Sequence, residues 1–131
     1  MKGSINPGTL GVLNFQVTQQ HVIDFADEVM PEVLSTPWLV WFLEHAAREA
    51  VIPYLENHES TVGVQVSIEH LAPTPVGHHV RCEAKVFSCE GQLISFGFQA
   101  YDQDELIARG SHKMRVIEAA RLKSRVDKKR S

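Results

Sequence analysis

Near residue 60 the spacing of apolar residues changes once, from three or four to two, and holds at two through the remaining segments of the domain. Upstream, Leu39, Leu43, Ala46, Ala47, Ala50, Val51 and Tyr54 recur at helical intervals, which predicts one long helix from Thr36 to about Glu56. Downstream, Val62, Val64, Val66, Ile68 and His70 alternate with Gly63, Gln65, Ser67 and Glu69. Three more alternating segments follow, Val80 to Val86, Ile94 to Ala100 and Leu106 to Val116, each with one wet face. Short turns at Pro73 to Gly77, Cys89 to Gly91 and Asp102 to Asp104 make neighbouring strands antiparallel. An earlier stretch, Val12 to Val17, supplies a fifth strand, followed by a short helical piece between His21 and Val29.

Strand, long helix, four strands in that order implies an α+β layer, one long central helix wrapped by a five-stranded antiparallel sheet. Thr36 followed by Pro37 marks the helix start, the threonine oxygen capping free amides and the proline giving up no hydrogen bond. Trp38, Trp41, Phe42 and Ile52 fall off the main apolar stripe. The helix is therefore apolar around most of its circumference, and one sheet does not cover it. That excess invites a second copy of the chain, as a homodimer or a dimer of dimers.

At 131 residues, 44% hydrophobic and 22% charged, the chain has the balance of one globular domain. We assign that domain to residues 1 to 120, with a basic, flexible C-terminal tail over 121 to 131. The N-terminus lacks the pattern of an export signal, and the longest apolar run, Pro37 to Leu43, is too short to span a bilayer. Cys82 and Cys89 are too few for a disulfide framework or a zinc site. They fit a reducing compartment, so the expectation is a soluble cytoplasmic protein with no membrane partner. Residues 1 to 120 hold seven basic and fifteen acidic residues, a net charge of −8, while the tail holds six of the thirteen basic ones. An acidic body argues against nucleic acid, and the tail is read as a solvated end outside the site.

His70 shares its parity with four aliphatic residues, so strand geometry aims its ring at the buried side. It is either a core histidine hydrogen-bonded at a strand end or part of an active site. Glu44 lies at the edge of the helix stripe, and its plain reading is a surface pair with Arg48 one turn later. Thr36 has the helix cap as its plain reading.

Three stretches carry a resemblance: VLSTPWLVWFLEHAA (33 to 47), TVGVQVSIEHLAPTPVG (61 to 77) and GSH (110 to 112). Together they resemble the fluoroacetyl-CoA thioesterase family of hotdog-fold proteins, over about residues 12 to 118. In that family a threonine, a glutamate eight residues on and a histidine twenty-six further form the catalytic set, with a glycine seven before the histidine. Thr36, Glu44, His70 and Gly63 stand at that spacing. The resemblance implies a hotdog fold, hydrolysis of a small acyl-CoA thioester, catalysis by Thr36, Glu44 and His70, and a substrate contact at Gly63. The arginine that often closes the family's G-x-H-x-R is Met114 here and is not carried over.

On a straight helix Thr36 and Glu44 are about 12 Å apart along the axis, beyond direct contact. Either substrate spans the gap or two protomers share a site across a two-fold axis. His112 has the inward parity of its strand, and a core or pocket-lining role is its first reading. The adjacent His78 and His79 diverge in a turn, so no metal and no resident cofactor is expected, coenzyme A being part of the substrate. Its phosphates need donors near the pocket mouth, for which Arg109, Lys113 and Arg115 are candidates unless they are simply a solvated strand face. Two other functions remain open on the residues alone: hydration or dehydration of enoyl thioesters, and a non-catalytic module that binds acyl thioesters.

Overall fold

The computed structural model describes residues 1 to 131. Strand β1 (Leu10–Gln16) leads through a 3-10 turn (Gln19–His21) and an irregular stretch into helix α1 (Thr36–Val51). A second 3-10 turn (Ile52–Tyr54) precedes β2 (Glu59–His70), β3 (His79–Glu90), β4 (Leu93–Tyr101), β5 (Leu106–Glu118) and a final helix, α2 (Ala119–Arg130). All five strands form one antiparallel sheet in the order β1-β3-β4-β5-β2. The long connection through α1 therefore crosses the whole sheet. No helix is long and apolar enough to cross a membrane.

α1 buries Leu39, Phe42, Leu43, Ala46, Ala47, Ala50 and Val51, the leucines, the phenylalanine and the valine each contributing about 1.5–3 kcal/mol relative to exposure. It lies chiefly over β1 and β3. The approach is close because its contact row is alanine, and because a Cβ on Gly11 of β1 would collide with the Ala46 carbonyl. Opposite it, Val80, Cys82, Ala84 and Val86 of β3 and Ile94, Phe96, Phe98 and Ala100 of β4 are all buried. Both rows are the ones the period of two selects. Burial of Cys82 pushes its thiol up to about 12, so it behaves as an inert core residue.

Several expectations need correction. The Pro73 to Gly77 connection does not join neighbouring strands: β2 pairs with β5 at the far edge of the sheet, and β3 takes β1 and β4 as its neighbours. The cap of α1 is Ser35, whose hydroxyl accepts from the Trp38 amide at 3.3 Å; Thr36 is the first helical residue and its hydroxyl is free for other work. The α-helix stops at Val51, where Pro53 in the following turn cannot continue the ladder. Phe42, placed off the stripe by its spacing, is buried, stacked on Phe15 of β1 at 3.6 Å between ring centres. The segment from Val22 to Val29 is not helical. Finally, β2 carries a bulge between Gly63 and Gln65. A bulge inserts one unpaired residue and reverses the parity beyond it, so Gly63 pairs with inward Met114 while Val62 pairs with outward Arg115.

Candidate active site

Sheet register and helix spacing divide the site residues into two groups within one chain. The first joins the start of α1 to the end of β2. Thr36 Oγ1 lies 2.7 Å from His70 Nδ1, the serine cap having left the threonine hydroxyl pointing away from the helix amides. His70 pairs with inward-facing Ala108, so its ring is half-buried on the helix side, as the parity of Val66, Ile68 and His70 requires. Burial pushes its pKa below the ordinary 6.5, opposed weakly by the backbone at Ala72. The ring is thus neutral at neutral pH, with one nitrogen able to accept a proton. The Ala72 backbone is near enough to act on the charge of the ring, but Nε2 is buried and makes no hydrogen bond of good geometry, an arrangement that a further polar group would relieve.

The second group gathers at the bulge. A Cβ built on Gly63 would lie 3.6 Å from Glu44 Oε1 and 3.5 Å from His112 Cε1, so the carboxylate, the glycine backbone and a second imidazole surround one small space. Glu44 is not paired with Arg48, whose Nη1 reaches Thr61 Oγ1 at 3.5 Å instead, and it takes part in none of the chain's ion pairs. His112 is 1% exposed. It stacks on Phe98 at 5.1 Å, its Nδ1 is 3.1 Å from the Gln65 carbonyl oxygen, and its Nε2 is unpartnered. Burial lowers its pKa, while the Gln65 hydrogen bond and the nearby Glu44 charge pull the other way.

The spacing of Thr36, Glu44, Gly63 and His70 places His112 in no catalytic role, although the inward parity of β5 does aim it here. Its position beside Gly63 depends on the bulge, for which the isolated glycine in the strand is the only signal in the sequence. Val64 and Val66 of β2 are 50% and 38% exposed, as is Trp41 of α1 at 45%, so this edge of the molecule is apolar and open. The largest concavity, about 600 Å³, lies on the other face of the sheet around Gly97, Lys85 and Glu69 and includes none of these residues. A smaller one of about 450 Å³ adjoins Thr36, walled by Val22, Ile23, Phe25 and Trp38. No group of three or more His, Cys, Asp or Glu side chains is arranged to hold a metal ion.

A family model described as fluoroacetyl-CoA-specific thioesterase matches residues 17–120. The chain belongs to that family. Fluoroacetyl-CoA thioesterase of Streptantibioticus cattleyicolor is 34% identical over 106 residues, 81% of this chain and 75% of that protein. A point mutant of the fluoroacetyl-CoA-specific thioesterase superposes with a TM-score of 0.90 at 29% identity, covering 98% of this chain and 99% of its own. The same mutant has also been solved in complex with fluoroacetate and CoA, with a TM-score of 0.82 at 29% identity over 89% of this chain and 98% of that one. A hot-dog-like protein from Thermanaerovibrio acidaminovorans, 22% identical, has a TM-score of 0.87 over 95% of this chain and 93% of its own, and speaks for the fold. This fluoroacetyl-CoA-specific thioesterase family member is a hotdog-fold thioester hydrolase, and the reaction of its family is hydrolysis of an acyl-CoA thioester.

Proposed function

We propose that the chain hydrolyses a small acyl-CoA thioester at a site shared by two protomers, with Thr36 and His70 from one copy and Glu44, Gly63 and His112 from the other. The observation that carries this reading is the hydrogen-bonded Thr36–His70 pair with an orphaned, buried Nε2. A hydroxyl and a neutral imidazole held at that distance are equipped to move a proton, and the unfilled nitrogen requires a partner. The carboxylate that completes the set is about 12 Å along α1 in the same chain, so a two-fold arrangement of antiparallel α1 helices supplies it. Such a dimer also covers Trp41, Val64 and Val66.

Thioester hydrolysis needs a nucleophile at the acyl carbon, donors for the oxyanion and a proton for the leaving sulfur. Glu44 takes a proton from water, and the water oxygen bonds to the acyl carbon. The negative charge that develops on the carbonyl oxygen meets the backbone at Gly63, where the missing side chain leaves room for it. As the carbon–sulfur bond breaks, the proton that Glu44 gained passes to the neutral His70 ring and from it to the departing thiolate, so that the carboxylate and the imidazole both return to their starting states, and Thr36 holds the ring in register. The products are the free acid and coenzyme A, with no resident cofactor and no metal. The concavity beside Thr36, where Val22, Ile23, Phe25 and Trp38 meet Gln20 and Asp24, has room for a short acyl chain. Two free cysteines fit a cytoplasmic location.

Thiol release from a panel of acyl-CoAs tests the reading. Wild type should release thiol with a preference for short chains, and Glu44→Ala and His70→Ala should not. Equal rates in all three proteins, or no release by wild type at any chain length, would refute it.

A further inference from the structure

α2 is exposed along its length, and its first amide donates to the His58 carbonyl at 3.0 Å, which fixes the helix start beside β2. Leu122 and Val126 share a shallow cleft with Ser60, Thr61 and Ile117. Arg121 and Arg125, four residues apart and so on one side of the helix, border a separate concavity of about 460 Å³ together with Arg115 of β5, Gln92 and Glu118.

These three guanidinium groups lack counter-ions. The ion pairs of the chain are Met1–Glu59, Arg81–Glu83, Arg109–Glu69 and Lys123–Asp127, so none of Arg115, Arg121 and Arg125 is neutralised, and the Glu118 carboxylate that shares the concavity stands beyond pairing distance. Like charges one helical turn apart repel. A planar donor fork is matched to phosphate oxygens, and three forks around one hollow can take more than one.

Position links the cluster to the chemistry. Arg115 follows Met114, the partner of Gly63 in the sheet, and Arg115 to Glu118 lie within about 14 Å of Met114 at about 3.3 Å per residue. An arm that leaves Gly63 over the end of the sheet, where β2 begins and β5 ends, reaches the cluster. The body up to residue 120 carries −8, a potential that repels a polyanionic substrate, and the basic helix supplies the opposite field where such a substrate would dock.

We infer that Arg115, Arg121 and Arg125 bind the phosphate groups at the nucleotide end of the acyl-CoA substrate, which makes α2 part of the substrate-binding surface. This rests on the proposed acyl-CoA hydrolysis. The test is calorimetric binding of CoA, 3′-dephospho-CoA and pantetheine to wild type, to Arg121→Glu/Arg125→Glu and to Lys128→Glu/Lys129→Glu. The last variant makes the same charge change on α2 outside the concavity.

CoA should bind wild type about tenfold or more tightly than the arginine variant, and KM for acyl-CoA should rise in parallel. Affinity for pantetheine, which carries no phosphate, should be the same in all three proteins. The lysine variant should bind CoA within about twofold of wild type at physiological salt, where exposed charges outside the contact are screened. Equal CoA affinity in wild type and the arginine variant overturns the subsite, as does an equal loss in the lysine variant. Binding is read without turnover, so absence of hydrolysis in wild type would count against the thioesterase mechanism and leave this result standing.

Discussion

The Thr36 hydroxyl and the His70 imidazole stand 2.7 Å apart across 34 residues of chain, tying the first turn of α1 to the last residue of β2. The contact exists because Ser35 takes the capping role. The cap and the contact with His70 are thus divided between adjacent residues, and substitution should separate stability from the proton handling proposed for Thr36. Ser35→Ala should lower stability by about 1 kcal/mol with kcat nearly unchanged. Thr36→Val and His70→Ala should lower kcat about 10²- to 10⁴-fold with small changes in melting temperature. Thermal melts and steady-state kinetics on the three variants check this, and a larger kcat loss in Ser35→Ala than in Thr36→Val would reverse the assignment.

Gly63→Ala probes the space between Glu44 and His112. The new methyl would sit at 3.5 to 3.7 Å from both side chains, ordinary contact, so the fold tolerates it and the melting temperature should shift little. It also occupies the place assigned to the substrate carbonyl, so kcat/KM should drop about 10²-fold or more, the scale of a lost oxyanion donor. Activity at the wild-type level would show that the carbonyl lies elsewhere.

Half-buried His70 and buried His112 make the protein acid-sensitive. Burial holds His70 and His112 below the ordinary 6.5, so at pH values beneath 6.5 the unfolded chain binds protons that the folded chain does not. Their stabilising contribution is complete above pH 6.5 and is lost as pH falls from 6.5 towards the lowered values. Melting temperature should therefore decline through that window, and less steeply in His112→Gln. The acid limb of kcat/KM should likewise fall below pH 6.5. A limb at or above 6.5 would contradict a neutral, buried His70.

The proposed sharing of the site between two copies predicts a specific outcome for mixtures. Glu44→Ala and His70→Ala proteins, each inactive, should regain about a quarter of wild-type activity after subunit exchange, because half the dimers are mixed and each mixed dimer has one intact site. A site contained in one protomer yields no recovery at all.

Much of the architecture was legible. The single change of apolar period set one helix against four strands, and parity chose the buried rows of β3 and β4, because local alternation is all that a half-buried strand needs. The inward aim of His70 followed from the same rule. The bulge at Gly63 was signalled only by the glycine itself, an isolated one inside a strand: the run TVGVQVSIEH otherwise alternates without a break, and the alternation alone gives the wrong face to Val62. Phe42 was misplaced for a similar reason, since its partner Phe15 lies 27 positions earlier and no helical period reports it.

By itself the sequence determined the element types, the antiparallel pairing of β3 with β4 and of β4 with β5, and the family to which this chain belongs, because each is written in short-range spacing and composition; that β2 pairs with β5 and not with β3 was decided by the tertiary structure. Only the tertiary structure decided that Ser35 and not Thr36 caps α1, that Gly63 faces Glu44 and His112, and that Arg115, Arg121 and Arg125 surround one hollow. These are contacts between segments far apart in the chain. Their formation depends on how the sheet pairs, bulges and closes over its helix, which no local pattern of residues specifies.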